Sequence, residues 1–322
     1  RRRPGTVMTV ALRVSRGVLA VVIVVAVLGT GIYAGVYFLL RRTEPLVMAE
    51  QCVVTTPQGV LDLDIEQARI SAIIAAVAER RRLPERAVQI AYVTAIQESK
   101  LLNLPYGDRD SVGVFQQRPS QGWGTKKQIL DPVYATQRFF AALEKVKNYR
   151  RMPLEEAAQA VQRSADGSAY ADHREDAEIL AAAFTGRVPR AVHCLYPRPA
   201  TPAPARVDAA RKLLARTLGP AAAERFLTQE RAGGGTGLRV NAPSGKRGWL
   251  VASFAVAHAH QYGLSHVRYD GLIWRAETGQ DGWRKDESAA SARRPDGTPP
   301  ARERRARARA RGARRVTAAG RP

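Results

Sequence analysis

The hydrophobic pattern changes period several times along the chain. Residues 18–40 form an unbroken run of 23 residues without a charge. At about 1.5 Å per residue, a helix of that length spans the roughly 30 Å hydrocarbon core of a bilayer. The run exceeds the roughly 7–15 apolar residues of a secretory signal, and no small-residue cleavage site closes it. It is therefore read as one retained transmembrane helix, with residues 1–17 cytoplasmic and Met8 a candidate start. Residues 41–61 read as a stalk. Beyond them the period becomes that of amphipathic helices. Asp64 with Gln67 three residues on is a capping-box start, and Ile70, Ile73, Ile74 and Val77 then share one face. Leu83-Pro84-Glu85 restarts a helix that buries Val88, Ile90, Ala91, Ala95 and Ile96 and ends near Glu98. After a Gly- and Pro-containing loop over 104–125, Asp131-Pro132 opens a third helix through Phe139, Phe140 and Leu143. Met152-Pro153 opens a fourth, with Glu155 and Glu156 in its first turn, and a fifth runs over 172–184. Strand-like alternation is almost absent here, so residues 62–195 are predicted to form a nearly all-helical domain.

A Pro/Ala stretch at 196–205 reads as a semi-rigid linker. Beyond it, 206–230 has a helical pattern, 233–237 is Gly-rich, and 249–262 reads as a helix. A strand at 265–269, a turn at Asp270-Gly271 and a strand through Leu272-Ile273-Trp274 complete a small α+β module over 206–287. Residues 288–322 hold almost no large apolar side chain and cannot bury enough surface to fold. That abrupt shift fits a displaced reading frame in a GC-rich gene or a basic disordered tail. The expected fold class is mainly α: a transmembrane helix, a helical domain, a small α+β module and a disordered basic tail.

Charge changes this picture little once it is placed. The net charge is +22, but residues 1–42 carry seven Arg and no acid, and residues 291–322 carry a net of nine. The body is only mildly basic, so nucleic acid is not an expected partner. The two cysteines, Cys52 and Cys194, frame the helical domain. They are either a disulfide, as befits a unit outside the membrane, or two buried thiols. Cysteines and flanking Arg together place the N-terminus inside and the remainder outside. Gly31 and Gly35 match a small-xxx-small pattern, a weak signal for helix dimerisation.

Candidate chemistry concentrates in residues 97–125, QESKLLNLPYGDRDSVGVFQQRPSQGWGT. Breaking a glycosidic bond requires a proton for the leaving oxygen, and a carboxyl in apolar packing can supply it. Glu98, after Ile96 and before Leu101 and Leu102, is placed for that role. Ordinary glycosidases add a second carboxylate, for which Asp108 and Asp110 are the nearby candidates; either is equally a turn residue. Gln116 and Gln117 offer amides suited to N-acetyl groups and hydroxyls, or to shaping the loop. Trp123 and Tyr106 either stack on sugar rings or pack. No HExxH, CxxC pair or Walker-type loop is present, so no cofactor or metal is expected. His258 and His260 lie two apart on a helix and face different ways.

Glu98-Ser99, then Ser111-x-Gly113-Val114-Phe115-Gln116, Pro119 and Asp131-Pro132 resemble the soluble lytic transglycosylase and goose-type lysozyme family. The likeness covers residues 62–195. Phe115 stands where the family usually has Met, and the loop at Trp123-Gly124 is an addition. The longer stretch is similar to membrane-anchored wall-lytic domains of high-GC Gram-positive bacteria. The resemblance implies a lysozyme-like helical domain that cleaves peptidoglycan glycan strands, with Glu98 as general acid and then base. It implies Ser111 and Gln116 as glycan contacts and Tyr170 as a late cleft tyrosine. It also implies that the sugar's own 6-hydroxyl can replace a second carboxylate. Hydrolysis and transglycosylation both stay open. The alternative is a non-catalytic wall-binding or assembly protein.

Overall fold

The capping signals begin helices where the side chains require it. Gln67 Oε1 accepts the Asp64 amide at 2.8 Å and closes the capping box that opens α2 (Ile65–Arg80). Pro84 precedes α3 (Glu85–Ser99). Thr125 caps α4 (Lys126–Ile129), and the Asp131 carboxylate accepts the Val133 amide at the start of α5 (Pro132–Leu143). α6 (Leu154–Gln162) and α7 (Arg174–Phe184) complete the helical set. This computed structural model describes residues 16–42, 50–162, 168–196, 204–232, 235–242 and 245–287. Residues 1–15, stalk residues 43–49, linker residues 197–203 and the tail from 288 lie outside the described residues.

Among the described residues, the N-terminal unit contains one helix, α1 (Arg16–Arg42). Its described side chains, at 20–35 and 37, are all exposed; Gly31 and Gly35 have nothing within 4 Å of a built Cβ. Among the described residues, no helix is long and apolar enough to cross a membrane. The transmembrane helix expected at 18–40 is corrected on this finding. So is the localisation built on it, a single-pass membrane protein with an outward-facing domain.

The mainly α fold class is corrected as well, because two sheets organise the second unit. Residues 51–61, read as part of a stalk, join residues 62–63 of the expected helical domain in a hairpin of β1 (Gln51–Thr56) and β2 (Gly59–Leu63). β3 (Val192–Leu195) adds to the other edge of β1, giving the antiparallel order β2-β1-β3. Cys52 and Cys194 are direct cross-strand partners and form a disulfide. The helices between them are thus closed by a sheet built from their two flanks.

β3 also anchors the C-terminal half. After α8 (Val207–Leu218) and α9 (Pro220–Phe226), the expected helix to 230 gives way to β4 (Leu227–Ala232) and β5 (Gly235–Val240). α10 (Gly245–Ala257) and α11 (Ala259–Tyr262) lead to β6 (His266–Tyr269), β7 (Leu272–Arg275) and β8 (Arg284–Lys285). The sheet order is β4-β5-β6-β7-β8; only β5 and β6 pair parallel, with α10 in the crossover. α10 packs on α2, α7 and β3. Gly186, after α7, has φ 76°, and a Cβ there would lie 2.0 Å from the Lys246 carbonyl oxygen, so only glycine permits this approach. The Tyr196 hydroxyl donates to the Val256 oxygen at 2.8 Å, and Trp283 Nε1 donates to the Val192 oxygen at 2.9 Å. With α8 and α10 on one side and α3 and α5 on another, every residue of α2 from Ile70 to Ala78 is buried.

Candidate active site

Glu98 owes its position to an abrupt helix end. After Ser99 the backbone turns left-handed at Lys100 (φ 55°) and Leu101 (φ 60°). Their amides return to the Ile96 and Ala95 oxygens, which satisfies carbonyls the ending helix would otherwise strand. Glu98 is left half-buried in the last turn, with Ser99 buried behind it. Ser99 Oγ lies 2.7 Å from the Val114 oxygen and 3.1 Å from the Ala95 oxygen. It therefore ties the end of α3 to the loop that follows. Opposite, Tyr170 in the 3-10 turn Ser168–His173 is buried and donates its hydroxyl to Glu98 Oε1 at 2.6 Å. Gln97 Oε1 and His173 Nε2, 2.8 Å apart, form a second tie between these two elements.

The loop after α3 is rigid for reasons internal to it. Val112 and Gln117 exchange backbone hydrogen bonds of 3.0 and 3.1 Å, which folds residues 113–116 into a tight turn. Phe115 is buried and stacks on Phe139 with centroids 4.4 Å apart. Ser111 Oγ donates to Gln116 Oε1 at 3.0 Å, and Gln116 Nε2 donates to the Gly113 and Tyr106 oxygens at 3.1 and 3.3 Å. Both ends of that amide are thus engaged within the loop. The amide lies directly over Gly107, where a Cβ would sit 1.7 Å from Gln116 Oε1. Gln117, the next residue, turns the other way: it is 1% exposed and donates to the Ala135 oxygen of α5 at 3.2 Å.

The two candidate second carboxylates have different fates. Asp110 accepts Arg118 Nε at 2.8 Å, the Ser120 amide at 2.8 Å and Ser120 Oγ at 3.0 Å. The Arg118 hydrogen bond first, then the Ser120 amide, hold its carboxyl well below the usual carboxylate range. It is a loop staple that steadies the 3-10 turn Pro119–Gln121. Asp108 is at the surface, 3.8 Å from Arg109. Neither bonds to Glu98 or Tyr170. Tyr106 is exposed. Trp123 is half-buried and lines a groove of about 630 Å³ between the 121–123 loop, α5 and the end of α6.

Of the residues singled out from sequence, the structure brings Glu98 and Tyr170 into contact, and Ser111 and Gln116 into one loop network. It sends Gln117 into the core. Two contributors were missed. Ser99 was read only as half of a Glu-Ser pair, and Gln162, whose Nε2 donates to the Phe115 oxygen at 2.8 Å, joins α6 to the loop. Adjacency to Glu98 was the available signal for Ser99; nothing local marks Gln162. Among the described residues, no cluster of three His, Cys, Asp or Glu side chains is placed to hold a metal ion. His258 is buried, while His260 Nδ1 lies 3.3 Å from Glu50. Comparison with protein-family models and with curated proteins returned no match to this chain.

Proposed function

We propose that this chain cleaves the glycan strand of peptidoglycan, with Glu98 as general acid and then base. The observation that carries the reading is the Tyr170 hydrogen bond to Glu98 Oε1 at 2.6 Å. With Oε1 accepting from a hydroxyl, the proton of the acid form resides on Oε2. One oxygen is held and the other is left to work. The likeness of the 97–132 segment to lytic transglycosylases supplies the substrate class.

The second step favours transglycosylation. Glu98 Oε2 gives its proton to the glycosidic oxygen as the C1–O bond breaks. The 6-hydroxyl of the same sugar then attacks C1 and returns its proton to the Glu98 carboxylate, forming a 1,6-anhydro ring. No second carboxylate is needed, and Asp110, saturated by Arg118 and Ser120, is not free to be one.

The test is mass spectrometry of purified peptidoglycan incubated with the full oxidised chain, beside Glu98→Gln. Anhydro-muropeptides from the unaltered chain alone are expected. Reducing-end products would replace transglycosylation by hydrolysis. No cleavage by folded protein would leave the non-catalytic wall-binding alternative.

A further inference from the structure

The Trp123 groove combines features that the chemistry at Glu98 does not use. Arg138 and Lys145 of α5 and its C-terminal end line it, and no carboxylate is among its described lining residues. Arg138 Nη2 donates to the Gly122 oxygen at 3.1 Å. The guanidinium is thus fixed at the rim with further N–H groups to offer. Val146 and Val161 give an apolar floor, and Trp123 a flat wall. Gln162 spends its Nε2 on the Phe115 oxygen, which leaves its carbonyl oxygen as an acceptor. A volume of about 630 Å³ suits a short peptide rather than an ion alone.

The groove is built on the same framework as the acid. Gln162 holds Phe115, the neighbouring Val114 holds Ser99, and Ser99 follows Glu98. We propose that this groove binds the carboxylate-bearing peptide attached to the glycan, so that Arg138, Lys145 and Trp123 select peptide-substituted strands. The proposal rests on the glycan-cleaving reading for the identity of its ligand. Two cations, one of them fixed by its hydrogen bond, with no acid among the described lining residues favour an anionic partner. The apolar floor and the amide favour small aliphatic residues and a peptide bond beside that charge.

The test is calorimetry on the full oxidised chain carrying Glu98→Gln, with a disaccharide tetrapeptide as probe. The same probe with its peptide carboxylates amidated is the control. Free carboxylates are expected to bind more tightly than amidated ones. Arg138→Gln with Lys145→Gln together should weaken binding about tenfold, and Trp123→Ala should weaken both probes. The proposal is overturned if the amidated probe binds equally, if the double variant binds like the parent, or if neither probe binds. Cleavage of peptide-stripped glycan by the chain with Glu98 intact tests the enzymatic reading separately. Charge-dependent binding without that cleavage would keep the groove and remove the chemistry.

Discussion

Two half-hidden glutamates sit in one compact unit and live in opposite surroundings. Glu98 meets one described partner, the neutral hydroxyl of Tyr170. Glu230, on β4, meets Arg239 Nε at 2.9 Å, His266 Nε2 at 3.1 Å and Arg268 Nε at 3.2 Å. Arg268 also reaches Asp286 at 3.2 Å, and Ser265 Oγ lies 2.9 Å from His266 Nδ1. Such a cluster in the sheet keeps buried charges paired, which is the condition for tolerating them at all. Its two carboxylates are committed to their cations. A carboxylate held by one neutral donor instead keeps an oxygen for proton transfer. The difference separates a group the fold uses from one it presents.

The sharpest break of this comparison is the pair of Glu→Gln substitutions. Glu98→Gln should lower glycan cleavage by up to about ten-thousand-fold while the melting temperature stays close to that of the parent chain. Near-parental turnover would remove Glu98 from the chemistry. Glu230→Gln should act in reverse. It leaves Arg268 and Arg239 short of a counter-charge and should cost about 3 kcal/mol in urea denaturation, with cleavage by the folded fraction intact. If Glu230→Gln unfolds nothing, the buttressing role falls.

Tyr170→Phe sharpens the contrast at smaller scale. Removing the hydroxyl that orients Glu98 Oε1 should slow cleavage about tenfold, and reads as kcat falling with KM nearly constant. An unchanged rate would mean that the carboxylate is oriented by something else.

A pH-dependent effect, about 1.4 kcal/mol for each pH unit, concerns His258, a buried titratable group on the structural side. Burial first, and the Arg69 charge with it, bring its pKa down to about 3, against the opposing effect of the hydrogen bond to the Phe254 oxygen. The unfolded chain takes up this proton near pH 6.5, whereas the folded chain does so only near pH 3. Between those values the unfolded state binds more protons, so stability falls with acid by about 1.4 kcal/mol per pH unit. His258→Phe should flatten that part of the stability-versus-pH curve; an unaltered slope would assign it to other groups. His266 is shifted the same way, mainly by burial, with Glu230 opposing.

How much of this was legible in the sequence depends on the range of the forces involved. Helix starts were legible because caps act within four residues: Asp64 with Gln67, Pro84, and Asp131 with Pro132 all mark observed starts. The Cys52–Cys194 pair was legible as one of two alternatives, and it is a disulfide. The hairpin at 51–63 was not read, although β1 alternates between exposed and buried positions. β3 has only four residues, too few for a period to show. In the site, Glu98 and Tyr170 were named separately, but their meeting across 72 positions needed the fold. Gln116 and Gln117 looked equivalent, and a tight turn sends them in opposite directions.

By itself the sequence determined where the capped helices begin, which side chains offer acid and amide groups, and that two cysteines frame the helical region. These follow from local hydrogen bonds and side-chain chemistry. Tertiary structure decided the rest. α2 reads as having one apolar face, yet it is buried along Ile70–Ala78 because α8 and α10 cover its other side. Asp110 reads as a possible catalyst and is a staple, because Arg118 and Ser120 fold back onto it. Whether a polar group is available or already engaged depends on partners far away in the chain, and only packing brings those partners into range.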